Sequence, residues 1–418
     1  AGQKCSASSL LVLVSSAGKS ERIARQLVDA TASLRVRLPL SLDSQMGPVV
    51  VPDDEKAVRG LTTLGVGEHW VLKPRYLGDG LWTPGIRAGV VPGSEFHLTE
   101  YFAPVIGVMR VDTLEEAIEA VNAVDYGLTS GLQTLDAAEL AVWLDSIQAG
   151  NIYVNRGITG AIVRRQPFGG WKRSAIGSTT KAGGPSYLLG LGDIEPADGQ
   201  DVKELAGQGT AALDPRVASL CDAVSGQLGE ADLAGLRRAL VADASAWRSA
   251  YGANRDVTAL ACERNVLRYR PTDVLVRAGV GTELADVVRV MAAGVRAGGF
   301  VSLSVADRLP QPLQNALQAA GVQVAVEDQG AWDARLAELS ASGGLGTRVR
   351  ILGPREETSA ARWSHASRVT GGSPDIALYT GSVTACPHSE LLPFLREQAV
   401  AITNHRFGTP LDLAEGLL

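Results

Sequence analysis

A cysteine near the start of the chain, Cys5, is the first residue whose type and surroundings could carry chemistry. Small and polar residues flank it from Gly2 to Ser9, and an apolar run over 10–14 follows at once. A turn of small residues beside a strand leaves room for a substrate and for backbone N–H groups near the sulfur. Such groups stabilise the oxyanion that forms when a thiolate attacks a carbonyl. A free cysteine is also a common small core residue, and the residues around Cys5 leave both interpretations open.

The remaining candidate ligands do not form a metal site. The chain has 418 residues with four cysteines and five histidines, which are scattered and show no metal-ligand spacing. Widely separated cysteines without a CxxC pair predict free thiols in a reducing, cytoplasmic setting. The formal net charge of −6 predicts no general attraction to nucleic acid. No apolar run approaches the ~20 residues that a membrane-spanning helix needs.

Helix signals in the first half indicate a mixed α/β structure. Thr113 and Glu116 form a capping box, which predicts the start of one helix. Asp136 predicts the start of the next helix, and Gly150 predicts its C-terminal end. Predicted strands flank these helices: the apolar run at 10–14, which we expect to be buried, and 151–155.

Strand and helix patterns alternate in the last third of the chain. This alternation predicts a parallel, Rossmann-like sheet. Its first turn, with Gly279 and Gly281 but Leu284 at the third position, is a weak dinucleotide motif that also fits a plain strand-to-helix turn. The predicted strands are 273–277, 300–305, 322–327 and 348–352, and the predicted helices are 282–297, 310–320 and 331–339.

Composition predicts three parts in the chain. The first part, 1–192, precedes a polar, small-residue stretch at 193–208 that we interpret as a linker. An Ala-, Leu- and Arg-rich helical segment follows, so the second part is 193–255. The third part, 256–418, holds the Rossmann-like pattern.

Three ordered motifs indicate a family. The sequences GQKCS (2–6), TEYFAPV (99–105) and PFGGWKRS (167–174) resemble the nucleophile, E-x-F-G-P-V and P-F-G-G-x-K-x-S segments of the aldehyde dehydrogenase superfamily. Ala103 replaces the glycine of the second motif. The resemblance implies an α/β catalytic domain followed by the Rossmann-like C-terminal domain.

Further segments narrow the resemblance. GNIYVNRGITGAIVRRQPFGG (150–170) and TKAGGPSYL (180–188) are similar to L-glutamate γ-semialdehyde dehydrogenases, also called 1-pyrroline-5-carboxylate dehydrogenases. ERNVLRYRP (263–271) and the segment at 391–410 resemble the C-terminal part of long-form bifunctional proline utilization A. The resemblance covers essentially the whole chain.

The resemblance implies roles for three residues in catalysis and cofactor binding. Cys5 is the expected nucleophile, which forms a thiohemiacetal and then, after hydride transfer to NAD⁺, a thioester that water hydrolyses to glutamate. Glu100 is expected to hold the nicotinamide-ribose hydroxyls. Phe102 is expected to pack beside the nicotinamide end.

The same resemblance implies the substrate contacts. The Ser6 hydroxyl and the backbone of Gly160 and Ala161 are the expected donors to the substrate carboxylate. Ala161 offers only its N–H, so a side-chain hydroxyl contact is absent there. Phe168 is expected to pack against the aliphatic part of the substrate, which is compatible with a place in the core.

The family also implies accessory segments and partners. An oligomerisation hairpin is expected near 157–192, which predicts a homo-oligomer, and a lid segment is expected at 391–418, where Arg396, His405 and Arg406 would pack or hydrogen-bond. This chain is expected to lack the N-terminal NAD-binding domain of the family, and whether a proline dehydrogenase with its FAD is covalently fused to it stays open. We therefore expect this chain alone to be inactive.

Two other functions stay open at this point. The chain could be a non-catalytic scaffold or lid fragment of an aldehyde dehydrogenase-like protein. A cysteine-dependent acyl hydrolase that pairs Cys5 with His69 or His97 has no supporting motif.

Overall fold

The computed structural model of the protein describes residues 2–178, 180–192, 194, 212–411 and 413–418. The chain divides by contacts into two units. The first unit holds Ala1–Ala149, Tyr153–Gly160 and Leu411–Leu417, and the second holds Gly150–Ile152, Ala161–Pro410 and Leu418. The two units follow from contacts within the structure and do not test the boundaries predicted from composition. The boundaries after residues 192 and 255 therefore remain predictions.

The first unit is built on a sheet in the strand order β1-β6-β5-β2. Strands β1, β6 and β5 are parallel, and β2 runs antiparallel to β5. The predicted strand at 10–14 is confirmed, but its residues are half-buried rather than buried. Elements in chain order are β1 (Leu10–Val14), α1 (Glu21–Ala32), α2 (Glu55–Thr62), β2 (His69–Leu72), β3 (Tyr76–Gly78), β4 (Leu81–Trp82), β5 (Gly85–Val90), α3 (Glu95–Leu98), β6 (Val105–Val111), α4 (Leu114–Asn122), β7 (Tyr126–Gly127), β8 (Thr129–Leu132), α5 (Ala137–Ser146) and β9 (Asn151–Val154).

The predicted helix starts in this unit are confirmed. Thr113 caps α4 through the Glu116 N–H, and both halves of the capping box are present. Asp136 caps α5 by accepting the N–H of Ala138 at 2.7 Å. The prediction that Gly150 ends α5 is wrong, because the helix stops at Ser146 and the next residue, Ile147, is already extended.

The second unit contains the predicted parallel sheet, in the order β15-β14-β13-β16-β17. All the strands and helices that the alternation predicts are present, with ends shifted by a few residues. Its elements are β10 (Trp171–Lys172), α6 (Pro215–Asp222), α7 (Glu230–Ala246), β11 (Arg255–Asp256), β12 (Glu263–Pro271), β13 (Val274–Ala278), α8 (Leu284–Ala297), β14 (Val301–Val305), α9 (Gln311–Ala319), β15 (Gln323–Val326), α10 (Gln329–Ala341), β16 (Thr347–Leu352), α11 (Ser359–Val369), β17 (Ile376–Tyr379), α12 (Pro387–Leu391), β18 (Leu395–Thr403), β19 (His405–Arg406) and β20 (Thr409–Pro410).

Helix α8 packs with β13 and β14 of this sheet, and α6 and α7 pack against α8. Their apolar residues form a core cluster with β13 and β14, in which Val276, Val288 and Leu303 are fully buried. Burying a side chain of this size contributes about 1.5–3 kcal/mol. The predicted helical segment before residue 255 is therefore confirmed from Pro215 onward, whereas the predicted linker at 193–208 lies, apart from Ile194, outside the described residues.

Strands β12 and β18 form a long antiparallel pair, from Glu263 opposite Thr403 to Pro271 opposite Leu395. The alternating βα pattern gave no signal for this pairing, because its partners lie far apart in the sequence. The pair matters for the site because β18 carries Glu397, which contacts the loop that follows Phe168.

Candidate functional site

Cys5 lies in a tight turn immediately before β1. The Ala7 N–H donates to the Lys4 carbonyl at 2.8 Å, which places Cys5 and Ser6 at the two central positions of the turn. The Cys5 side chain is exposed, whereas Ser6 is buried. The sulfur is therefore accessible to a substrate, and the hydroxyl beside it is shielded from bulk water.

Two contacts fix the residues before this turn. Gly2 has a φ of +76°, and a Cβ at this position would lie 2.0 Å from the Ala103 carbonyl oxygen. The Gln3 side-chain oxygen accepts the Val50 N–H at 2.8 Å. Only glycine fits at position 2, so the approach of Gly2 to Ala103 brings the Cys5 segment against the second predicted motif.

The second motif presents Glu100 and Phe102 on either side of a buried tyrosine. Glu100 is exposed and Phe102 is half-buried, whereas Tyr101 and Ala103 belong to a core cluster. Phe102 has a φ of +50°, which is uncommon for a residue other than glycine. A strained backbone of this kind costs about 1–3 kcal/mol and persists where its surroundings hold it.

Tyr101 anchors this motif. Its hydroxyl donates to Glu95 at 3.1 Å, and its ring stacks on Phe96 with a centroid distance of 5.1 Å. Burial, together with the hydrogen bond to Glu95, raises the pKa of the Tyr101 hydroxyl. The ring also lies against Gly60, where a Cβ would come within 2.7 Å of it.

Arg87 is a buried residue that sequence reasoning missed. Its guanidinium forms an ion pair with Glu68 at 2.8 Å, with both side chains 2% exposed, and donates to the Thr63 carbonyl at 2.9 Å. The same group lies 4.1 Å from the Phe96 ring centroid. Arg87 thus supports the aromatic pair of Phe96 and Tyr101, next to the segment of Glu100 and Phe102. Its only signal in the sequence is a lone arginine in an otherwise apolar strand.

The predicted substrate residues divide between the two units. Gly160 lies in the first unit with Cys5, Ser6, Glu100 and Phe102, and it is exposed with a φ of +83°. Ala161 and Phe168 lie in the second unit, where Ala161 is exposed and Phe168 half-buried.

Hydrogen bonds order the loop that carries Ala161 and Phe168. The buried Gln166 side-chain oxygen accepts the Ile162 N–H at 3.0 Å. Phe168 forms a two-bond antiparallel bridge with Ala182, each N–H donating to the other carbonyl at 2.9 Å. The loop is therefore held at both ends by bonds within the second unit.

A buried polar cluster lies behind Phe168, formed by Asn151, Gly169, Lys181 and Glu397. The Asn151 amide donates to the Pro167 carbonyl at 3.0 Å, and its oxygen accepts from the Gly169 N–H at 3.1 Å and the Lys181 amine at 3.0 Å. Lys181 also donates through Nζ to the Gly169 carbonyl and through its backbone to Glu397. No local pattern in the sequence predicts this cluster, because Lys181 and Glu397 are 216 residues apart.

Burial dominates the electrostatics of this cluster. It lowers the pKa of Lys181 to about 7, and the nearby Glu397 carboxylate opposes the shift. Gly150 leaves space for the amine, because a Cβ there would lie 2.1 Å from the Gly169 carbonyl oxygen and 2.9 Å from Lys181 Nζ. Close packing explains this glycine, which the sequence analysis placed at a helix end.

The histidines of the hydrolase alternative have other surroundings. His97 is buried, accepts the Gly93 N–H at Nδ1 (2.9 Å) and donates from Nε2 to the Ala120 carbonyl (2.7 Å). Both ring nitrogens are therefore engaged with the backbone, which leaves no base for a thiol. His69 is exposed on β2, and His405 and Arg406 are exposed as well, with the Arg406 guanidinium carbon 5.7 Å from the ring centroid of Phe407.

The weak dinucleotide motif forms an ordinary turn between β13 and α8. Gly281 packs beside Pro354, with a Cβ contact of 3.3 Å. Glu283 stands at the N-cap of α8, where it pairs with Arg355 at 2.6 Å. A carboxylate at this place opposes a bound pyrophosphate, so the structure favours the strand-to-helix turn.

The described residues form neither a metal-ion site nor a membrane-spanning helix. Within them, no group of three or more His, Cys, Asp or Glu side chains could hold a metal ion. None of their helices has the length and apolar character needed to cross a membrane. The four cysteines are free thiols: Cys5 and Cys262 are exposed, Cys386 is half-buried and Cys221 is buried.

In the first unit, the exposed cysteine turn is held against the E-x-F-x-P-V segment. Residues 1–189 match the aldehyde dehydrogenase family. The matched range contains the motifs around Cys5, Glu100 and Phe168, so for this part of the chain the match agrees with the resemblance that the motifs predicted.

The chain is similar to proteins of two kinds, 1-pyrroline-5-carboxylate dehydrogenases and bifunctional proline utilization proteins. The chain is 34% identical over 191 residues to 1-pyrroline-5-carboxylate dehydrogenase of Bacillus subtilis, covering 45% of this chain and 36% of the relative. It is 30% identical over 338 residues to bifunctional protein PutA of Rhizobium meliloti, covering 78% of this chain and 25% of that protein. The structure of proline utilization A from Corynebacterium freiburgense matches 98% of this chain and 36% of its own, with 38% identity and a TM-score of 0.75. The chain thus spans about a third or less of these relatives.

Proposed function

We propose that the chain carries the nucleophile of an NAD-dependent L-glutamate γ-semialdehyde dehydrogenase, which produces L-glutamate in proline catabolism. The observation that carries this proposal is the packing of Gly2 on Ala103, which holds the exposed Cys5 turn against the segment of Glu100 and Phe102. The relatives named 1-pyrroline-5-carboxylate dehydrogenase and PutA support the choice of substrate.

In the proposed reaction, the Cys5 thiolate attacks the aldehyde carbon and a tetrahedral thiohemiacetal forms. The former aldehyde carbon then loses its hydrogen together with two electrons, as a hydride, and the product is a thioester. Water then attacks the acyl carbon, which releases glutamate and restores the thiol. The exposure of Cys5 suits attack on a diffusing substrate, since a buried sulfur would lack access.

The other predicted residues bind the two reactants. Ser6 and the N–H groups of Gly160 and Ala161 would hold the substrate carboxylate, and Phe168 would cover its aliphatic carbons. The exposed Glu100 carboxylate fits a role as acceptor for ribose hydroxyls, and the half-buried Phe102 ring fits packing beside a nicotinamide. NAD⁺, when bound, supplies the hydride acceptor.

The proposed oligomer, lid and fused domain rest on the likeness to the family. Residues 157–192 would contribute to a homo-oligomer, residues 391–418 would form a lid, and a proline dehydrogenase with FAD would be covalently fused in the bifunctional form. The free thiols suit a reducing cytoplasm. Because the chain spans 36% of the B. subtilis dehydrogenase, we propose that the 418 residues alone produce no NADH from the semialdehyde.

Alkylation of the chain by iodoacetamide, followed by mass spectrometry, tests the proposed nucleophile. Cys262 is a matched control, because it is also exposed. We expect Cys5 to react at least about tenfold faster than Cys262, since the proposal makes Cys5 alone the nucleophile. Equal, slow labelling of both cysteines would favour the non-catalytic scaffold instead. In the whole dehydrogenase, Cys5→Ala is expected to abolish NADH formation, whereas Cys262→Ala is expected to preserve it.

A further inference from the structure

The second unit contains a cavity of about 460 Å³ beside β16 and β18. Its lining includes Arg348 from β16 and Arg396 from β18, together with the aromatic side chains of Trp171 and Tyr379. The volume falls in the range of small-molecule sites, about 300–1,000 Å³. None of the residues that the proposed aldehyde chemistry uses lines it.

The two arginines face this cavity with uncompensated charge. Arg348 donates to the carbonyls of Leu392, Pro393 and Leu395 at 2.7–2.9 Å. Arg396 donates to the Gly346 carbonyl at 2.9 Å. Within the described part of the chain, the acceptors recorded for both guanidinium groups are neutral carbonyls, so neither has a carboxylate in hydrogen-bond contact.

The carboxylates that line the cavity are engaged elsewhere. Glu390 pairs with Arg350 at 3.3 Å, and Asp375 pairs with Arg173 at 3.0 Å. Glu397 accepts the Lys181 backbone N–H through Oε2 at 2.8 Å. Two of these three carboxylates are therefore paired with other arginines, and none of the three is a recorded hydrogen-bond partner of Arg348 or Arg396.

Arg348 and Arg396 also repel each other. Burial and, to a smaller extent, the charge of Arg348 lower the pKa of Arg396 to about 10, against the opposing effects of Tyr379 and Asp273. Two like charges in a partly desolvated wall raise the free energy of the empty cavity. An anion between them would remove that cost and would accept from the planar guanidinium groups.

We propose that this cavity binds a small organic anion, whose carboxylate or phosphate group is held by Arg348 and Arg396. Trp171 and Tyr379 flank the arginines, with their ring centroids 5.8 Å from the Arg396 and 5.7 Å from the Arg348 guanidinium carbon. These rings provide a flat apolar surface for the rest of the ligand. The carboxylates in the wall oppose a polyphosphate, so the site favours one or two negative charges.

Isothermal titration of the 418-residue chain with malonate and, separately, with inorganic phosphate tests the proposal at constant ionic strength. We expect saturable binding of at least one of the two, and the stronger of them identifies the anionic group. Arg396→Gln and Arg348→Gln are each expected to weaken binding by at least about tenfold, because each removes a charge-assisted bond. Arg335→Gln is the charge control, since Arg335 pairs with Glu327 away from the cavity, and it is expected to bind as the native chain does.

Two outcomes would overturn the proposal: no saturable binding of either anion to the native chain, or equal affinity in Arg396→Gln and the native chain. Arg396→Lys guards against a folding defect, because it keeps the charge but loses the planar fork. Its expected affinity lies between those of the native chain and Arg396→Gln, and a native-like circular dichroism spectrum verifies its fold.

Discussion

Gly2 packs directly on the carbonyl oxygen of Ala103, so the residues before Cys5 and the residues after Phe102 lie in contact. A Cβ at position 2 would come within 2.0 Å of that oxygen, and the Gly2 φ is +76°. The two segments are joined by strands as well, because β1, which follows Cys5, pairs in parallel with β6, which follows Pro104. The turn with the proposed nucleophile is therefore part of the sheet edge rather than a free terminus.

Gly2→Ala is expected to destabilise the first unit by more than about 3 kcal/mol, since the side chain adds an overlap to the cost of a left-handed φ. We also expect slower alkylation of Cys5, because the turn that holds the proposed nucleophile loses its support on Ala103. Urea unfolding and iodoacetamide kinetics measure the two effects. Gly93→Ala separates the cost of the left-handed φ from the cost of the overlap. Gly93 has a φ of +80° but no atom near its Cβ position, so the expected cost of this substitution is about 1–2 kcal/mol. Similar costs for both variants would contradict the proposed contact.

Local patterns predicted much of the fold. Thr113 with Glu116 located the start of α4, since a capping box depends on residues within one turn. The alternating pattern after residue 273 located the parallel sheet, because its strands are buried and its helices amphipathic. Cys5 and Glu100, which the motif likeness assigns to one domain, both lie in the first unit, and their roles stay predictions.

Long-range contacts were beyond these patterns. Lys181 contacts Glu397 although the two residues are 216 positions apart, and Arg87 forms a buried ion pair with Glu68. The apolar pattern of a strand with one exposed face does not predict a buried ion pair. Gly150 looked like a helix end, although its real constraint is the Gly169 carbonyl. Such contacts depend on how elements pack, and a sequence window contains no record of that packing.

Arg87→Met tests the support under the Glu100 segment. Removing the guanidinium leaves Glu68 buried without its partner, so we expect a loss of about 3–5 kcal/mol in the free energy of unfolding. Urea denaturation followed by tryptophan fluorescence measures it. Adding Glu68→Gln to Arg87→Met is expected to recover part of the loss, because no buried charge then remains.

Arg59→Met is the matched control for this substitution. Arg59 pairs with Glu95 at 3.1 Å, but both side chains are at least half exposed. An exposed ion pair contributes about 0–1 kcal/mol, so the expected loss is small. If Arg87→Met cost no more than Arg59→Met, the buried pair would not be what holds the aromatic residues in place.

Lys181 predicts a specific pH dependence of stability in the second unit. Burial lowers its pKa from 10.5 to about 7, so between these two pH values the unfolded chain binds a proton that the folded chain has released. Stability therefore rises with pH in this window, by at most about 1.4 kcal/mol per pH unit, and the penalty of the buried charge is complete below pH 7. Urea unfolding at several pH values from 7 to 10 is expected to show this rise in the native chain relative to Lys181→Met, which has no proton to release. Lys181→Arg, which stays charged, is expected to be less stable than the native chain throughout the window. Parallel profiles of the native chain and Lys181→Met would show that the buried amine stays protonated in the folded state, contrary to this prediction.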